Sequence, residues 1–153
     1  MTYLTRLTSA IKKELEEGRL GTPVYVRLVI VASSDHGHLV PSSVACMQVV
    51  RELLGPPITE VFAAGSVESG NLSLQLHLEG GRTGQVISIL RREGDPGADL
   101  LLVGNHGTLR HDLAEAGLAG ETEDGLWSAD GVRSELVAAV EESLRKRSPV
   151  RLG

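Results

Sequence analysis

Apolar positions recur at helical spacing near both ends of the chain and alternate with polar ones through its middle. Leu4, Leu7, Ile11 and Leu15 lie three or four residues apart, which predicts an amphipathic helix stopped at Gly18. "TPVYVRLVIVAS" then places Val24, Val26, Leu28 and Ile30 on one face of a strand and Tyr25, Arg27, Val29 and Val31 on the other. A second helix is predicted over 42–54, capped by Ser42 or Ser43 and ended by Gly55, Pro56 and Pro57. "ITEVFAAGS", "LSLQLHLE", "GQVISILRR", "ADLLLVGN" and "TLRHDLA" read as consecutive strands. Pairing Glu79 with Gly84 across the "GGRT" turn sets Leu76 beside Ile87 and Leu74 beside Ile89. The "NHG" turn joins the last two strands, and its Gly107 suits a positive φ. Residues 115–131 read as a surface loop around Trp127, and Val132, Leu136, Val137, Val140 and Leu144 mark a closing helix.

This order predicts a single α+β domain over 1–153, with an open, mainly antiparallel sheet and helices on one face. So few helices leave the second face, with Tyr25, Val29 and Val31, in need of a partner. A homodimer or higher homo-oligomer packing sheet on sheet supplies one.

Composition narrows the function classes. Aromatic residues are 3% of the chain and the net charge is −5, which argues against nucleic-acid binding. The basic cluster Arg145-Lys146-Arg147 ends a helical pattern, the end that favours cations. A single cysteine, Cys46, excludes an intrachain disulfide and falls in an apolar run, where a buried thiol is expected. The charged N-terminal stretch has no signal-like apolar core and the sequence has no long apolar span, so a cytoplasmic location away from membranes is expected.

Several segments together resemble one family. "IKKELEEGRLGTPVYVRLVI", with its Gly18-to-Gly21 turn, is similar to the opening of the second domain of the Gfo/Idh/MocA oxidoreductases. "VVRELLGPPITEVFA" resembles that domain's helix ending Leu-Leu-Gly, and "LHLEGGRTGQVISI" its Asn-Gly-Ala-x-Gly hairpin. "LLLVGNHGTLRHD" resembles its Gly-x-x-Gly-x-Leu strand pair, and "LVAAVEESLRKRSPV" its closing helix. The likeness runs in order over about residues 5–150. It implies an α+β domain with an open sheet whose bare face makes an oligomer contact.

The resemblance also defines what to look for chemically. Family members bind NAD(P) through a Gly-x-Gly-x-x-Gly turn of a Rossmann domain and carry a Glu-Lys-Pro lysine; neither motif occurs in this sequence. The resemblance implies that the second domain contributes an aspartate that helps position the substrate and a histidine that relays the hydroxyl proton during hydride transfer. Counting back from Gly55, those positions fall on Pro41 and Ala45, and a further substrate-binding aspartate falls on Gln48. Proline and alanine carry no proton, so no catalytic residue is assigned.

Asp35, His36 and His38, with Gln48, form the candidate polar site: a substitute relay through His38, part of a metal site with His106 or His111, or a solvated loop. Gln75, His77 and Ser88, with Arg27, are expected on one hairpin face, satisfying one another across an interface. Trp127 is either a loop anchor or a platform for a sugar ring.

The resulting expectation is a domain silent by itself, serving oligomerisation and completion of a substrate pocket. The alternatives are a subunit of a split NAD(P)-dependent sugar or polyol oxidoreductase and a sugar-like small-molecule binding module. No cofactor is expected on this chain alone, only NAD(P) through a Rossmann partner.

Overall fold

A computed structural model describes residues 2–32, 39–91, 97–112 and 131–153. Helix α1 (Tyr3–Glu16) starts at Thr2, whose hydroxyl accepts from the Thr5 backbone N at 3.3 Å. It buries Leu4, Leu7 and Ile11, the predicted stripe. Strand β1 (Pro23–Ala32) follows, with Val26, Leu28 and Ile30 buried and Tyr25, Arg27, Val29 and Val31 half-buried, as their alternation requires.

Helix α2 (Leu39–Leu54) begins three residues before the expected start. Ser42 and Ser43 do not cap it; they are buried inside it, and their hydroxyls donate to the Leu39 carbonyl at 3.0 and 2.7 Å. Leu39 and Val40 are buried too, so packing carries the helix back past the serines, which bond to the preceding turn instead. At the other end Gly55 adopts φ 99° and its N–H donates to the Arg51 carbonyl, while the Arg82 guanidinium donates to the Leu54 carbonyl.

Strands β2 (Ile58–Ser66), β3 (Asn71–Leu78), β4 (Thr83–Leu90), β5 (Gly97–Gly104) and β6 (Thr108–Asp112), helix α3 (Ser134–Lys146) and the short β7 (Val150–Arg151) complete the described chain. The seven strands form one sheet in the order β6-β5-β1-β4-β3-β2-β7. Every neighbouring pair is antiparallel except β1 and β4, so the sheet is mixed but mainly antiparallel.

The β3–β4 register differs from the expected pairing. Leu76 faces Gly84, Leu74 faces Val86 and Leu72 faces Ser88, a shift of three residues that exchanges the faces of β4. The tight turn over Glu79–Gly81, with Gly80 and Gly81 at positive φ, closes on a Leu78 N–H to Arg82 carbonyl bond and sets this register. Ile87 and Ile89 therefore lie on the open face, and Ser88 turns inward to bond Ser43 at 2.7 Å instead of joining Gln75 and His77. Gly107 also departs from expectation: it does not take a positive φ, and its carbonyl accepts from Gly104 N.

The three described helices cover one face. α2 packs on β1, β4 and β3, α3 on β2 and β7, and α1 beside α2. The layer between holds an aliphatic core that includes Leu28, Ile30, Met47, Val50, Leu74, Leu76, Leu100 and Leu102. Gly84 lets α2 sit close on β4: a Cβ there would lie 2.5 Å from Val50 Cγ1. The Gly18–Gly21 and Gly104–Gly107 turns dock on each other, and a Cβ on Gly104 would meet the Leu20 carbonyl oxygen at 2.0 Å. No described helix is long and apolar enough to cross a membrane.

Candidate functional site

The positions that the resemblance assigns to the aspartate, the histidine and the second aspartate lie on α2. Pro41, Ala45 and Gln48 fall at i, i+4 and i+7, one face of the helix. Ala45 and Gln48 line a cleft of about 240 Å³ between α1 and α2, with Thr2, Thr5, Ser9 and Lys12 on the α1 side and Glu52 further along α2. Lys12 and Glu52 form an ion pair across it. The Thr2 and Thr5 hydroxyls bond each other at 2.9 Å, and the buried Thr8 hydroxyl donates to the Leu4 carbonyl at 2.7 Å.

Gln48 has a structural duty. Its Nε2 donates to the Gly131 carbonyl at 3.0 Å and its Oε1 accepts from Arg133 N at 3.0 Å. Both ends of the amide thus fasten the segment entering α3 to α2. The cleft offers hydroxyls and an ion pair for hydrogen bonding, and among the described residues its lining contains no histidine, cysteine or tyrosine. Sequence reading missed Thr5, Ser9 and Lys12. They form a polar stripe on α1, which by itself reads as a solvated helix face; only α2 alongside turns it into a wall.

Asp35, His36 and His38 lie outside the described residues, as does Trp127. Of the other histidines named for a metal, His106 sits in the β5–β6 turn, where its N–H donates to the Leu20 carbonyl, and His111 lies on β6. His106 belongs to the turn and His111 lies near the far end of β6, so the two are held at opposite ends of that strand. Among the described residues no three His, Cys, Asp or Glu side chains gather in a metal-binding group.

The described residues do not fit a dinucleotide cradle either. The glycine-rich turns spend their donors on each other: Asn105 N donates to the Thr22 carbonyl at 3.0 Å, and Thr22 N donates to Asn105 Oδ1 at 2.8 Å. Such turns have no free fan of N–H groups for a pyrophosphate. Cys46 is fully buried and burial pushes its thiol up to about 12, which keeps it protonated and inert. Tyr3 is buried as well, and burial, with Asp112 and Asp99 nearby, raises its phenol to about 12.

The open face of the sheet carries its own polar set. Gln75 and His77 lie on it as expected. Tyr25 donates to Gln85 Oε1 at 3.3 Å, and Arg110 grips Asp99 through two bonds of 3.1 and 3.0 Å. Arg27, near the centre, buries its Nε with no hydrogen-bond partner among the described residues.

No family model matches the chain, and no curated protein matches it by sequence. Solved structures do match in shape. The chain superposes on the scyllo-inositol dehydrogenase of Lactobacillus casei, solved with NAD(H) and scyllo-inositol, with a TM-score of 0.71 at 16% identity, covering 97% of this chain and 63% of that one. For the myo-inositol 2-dehydrogenase of Lactobacillus plantarum the TM-score is 0.73 at 12% identity, with coverage of 98% and 63%. For a probable dehydrogenase of Thermotoga maritima it is 0.65 at 15%, with coverage of 94% and 61%. The chain spans about three-fifths of the length of these neighbours. Its fold is that of the C-terminal, sheet-bearing domain of the Gfo/Idh/MocA inositol dehydrogenases.

Proposed function

We propose that this chain is an assembly domain that associates through its open sheet face and completes a substrate pocket for a Rossmann domain supplied from outside residues 1–153, without carrying the proton relay itself. One observation supports this above the others. All three described helices lie on one side of the sheet, leaving Tyr25, Val29, Val31, Phe62, Ile87, Ile89, Leu101 and Val103 on the other. Six strands about 4.8 Å apart and about seven residues deep present roughly 700 Å² per copy. Two copies would bury about 1,400 Å², within the range of stable interfaces.

The chemistry agrees with a non-catalytic role for residues 1–153. By the resemblance, Pro41 and Ala45 stand where the family has its aspartate and histidine, and Gln48 is fastened to backbone on both sides. Sedimentation of the purified chain over a hundredfold concentration range tests the assembly. A reversible dimer or larger oligomer is the expected result, and a monomer throughout refutes it.

A second reading is a subunit of a split NAD(P)-dependent sugar or polyol oxidoreductase. It draws support from the neighbour solved with NAD(H) and scyllo-inositol. Co-expression with a bare Rossmann-domain protein encoded nearby should then give polyol-dependent NAD(P) reduction that neither chain shows alone. The α1–α2 cleft supports a third reading, a sugar-like binding module. A thermal-shift series with inositols and hexoses tests it, and no shift at millimolar ligand would dismiss it.

A further inference from the structure

The two bonds of the Gln48 amide do more than fasten a loop end. The Gly131 carbonyl and the Arg133 N–H that they engage flank Val132, whose side chain forms part of the wall of the α1–α2 cleft. Gly131, Val132 and Arg133 therefore make a strap that lies on the cleft and ends at the N-cap of α3. Its first residue is exposed: Gly131 holds φ 82°, and a Cβ there would meet nothing within 4 Å.

With the strap in place the α2 wall offers a ligand little. Ala45 and Val49 are apolar, the Glu52 carboxylate is paired with Lys12, and both ends of the Gln48 amide are engaged. On the α1 wall the Thr2 and Thr5 hydroxyls bond each other, and the Thr8 hydroxyl donates to the Leu4 carbonyl. Release of the strap changes this in one step. It withdraws Val132 from the wall and frees a donor and an acceptor on Gln48, one turn along α2 from Ala45.

We propose that residues 131–133 are an inhibitory strap on the α1–α2 cleft, and that Gln48 exchanges the strap's backbone for a polyhydroxylated ligand. This rests on the reading of the cleft as a sugar-like binding site and adds its regulation. Closed, the amide satisfies one carbonyl and one N–H of the chain; open, it presents the same two groups to a pair of hydroxyls, which also supply a donor and an acceptor. Strap and ligand compete for one amide, so affinity is reduced by the fraction of molecules held closed.

Gly131→Ala tests this without altering the lining of the cleft. Its methyl enters open space, but alanine disfavours the left-handed backbone of the closed strap, which raises the open population on the order of tenfold. Hydrogen exchange at the Arg133 N–H, which donates to Gln48 Oε1, reports the opening. Exchange is expected to quicken on the order of tenfold in Gly131→Ala, and further in Gln48→Leu, which has no acceptor. Unchanged exchange in either variant would refute the strap. Titrating wild type and Gly131→Ala with the inositols and hexoses named above is expected to give a dissociation constant lower in the variant by the same factor. By reciprocity, saturating ligand is expected to quicken Arg133 exchange in the wild type. Equal or weaker binding by the variant, or a ligand that slows exchange, would overturn the inhibition while leaving the cleft a binding site. Absence of binding to both proteins would sink the binding reading and the inhibition together.

Discussion

The close seat of α2 on β4 is open to a direct energetic test. Gly84 is buried opposite Leu76, and a Cβ built there would approach Val50 Cγ1 to 2.5 Å, against an ordinary carbon contact of about 3.5–4.0 Å. Val50 is fully buried on α2, and a valine in a helix has essentially one rotamer, so the methyl cannot swing aside. Gly84→Ala must therefore lift α2 or strain the strand, at about 1–3 kcal/mol. The strand regains about 0.5–1 kcal/mol from replacing glycine, which leaves a net loss of about 1–2 kcal/mol. Val50→Ala alone should cost about 2 kcal/mol, since it leaves a cavity at the same point. In the Val50→Ala background the new methyl fills that cavity, so Gly84→Ala becomes neutral or mildly stabilising. Urea unfolding of the four proteins gives the coupling directly, expected at about 2 kcal/mol and of rescuing sign. Additivity within about 0.5 kcal/mol would show that the two positions do not touch.

Three further results are expected. Ser143 is buried, its hydroxyl accepting from Ala63 N at 2.9 Å and donating to the Ser148 carbonyl at 2.7 Å; Ser143→Ala should cost about 2 kcal/mol in urea unfolding by orphaning both, and a loss under about 0.5 kcal/mol would contradict that role. Gln48→Leu should lower stability by about 1 kcal/mol and speed limited proteolysis near residues 131–133, whereas an unchanged cleavage rate would mean that the amide does not hold the segment. The Cys46 thiol has a folded pKa raised to about 12 from an ordinary 9.0, so its contribution to stability is complete below about pH 9 and is lost as pH climbs towards 12. Stability measured by urea should fall by about 1.4 kcal/mol per pH unit on this account through that window, with Tyr3 adding in the same direction, and Cys46→Val should flatten the fall; an identical slope in the variant would rule the thiol out.

Much of the site's chemistry was legible from residue type. Proline and alanine at 41 and 45 cannot carry a proton wherever the fold places them, and the count from Gly55 that picks them out rests on the resemblance alone. The duty of Gln48 was not legible, because its partners at Gly131 and Arg133 lie more than 80 residues along the chain. The cleft wall of Thr5, Ser9 and Lys12 was hidden for a related reason: exposed polar residues on a helix carry no mark of what packs beside them.

Local pattern alone determined the element types, the buried face of β1, the aliphatic core and the inert cysteine, because period and side-chain chemistry act within a few residues. Tertiary structure decided the rest. It drew α2 back to Leu39 by burying its first turn, and set the β3–β4 register through a glycine turn whose closing bond runs from Leu78 to Arg82. It also joined β1 to β4 in parallel, sent Ser88 inward and left Arg27 on the face that no described helix covers. A three-residue slip in a hairpin keeps every local preference nearly intact yet exchanges the two faces of a strand. The glycine turn and the packing of α2 against Gly84, Val86 and Ser88 together select the observed register.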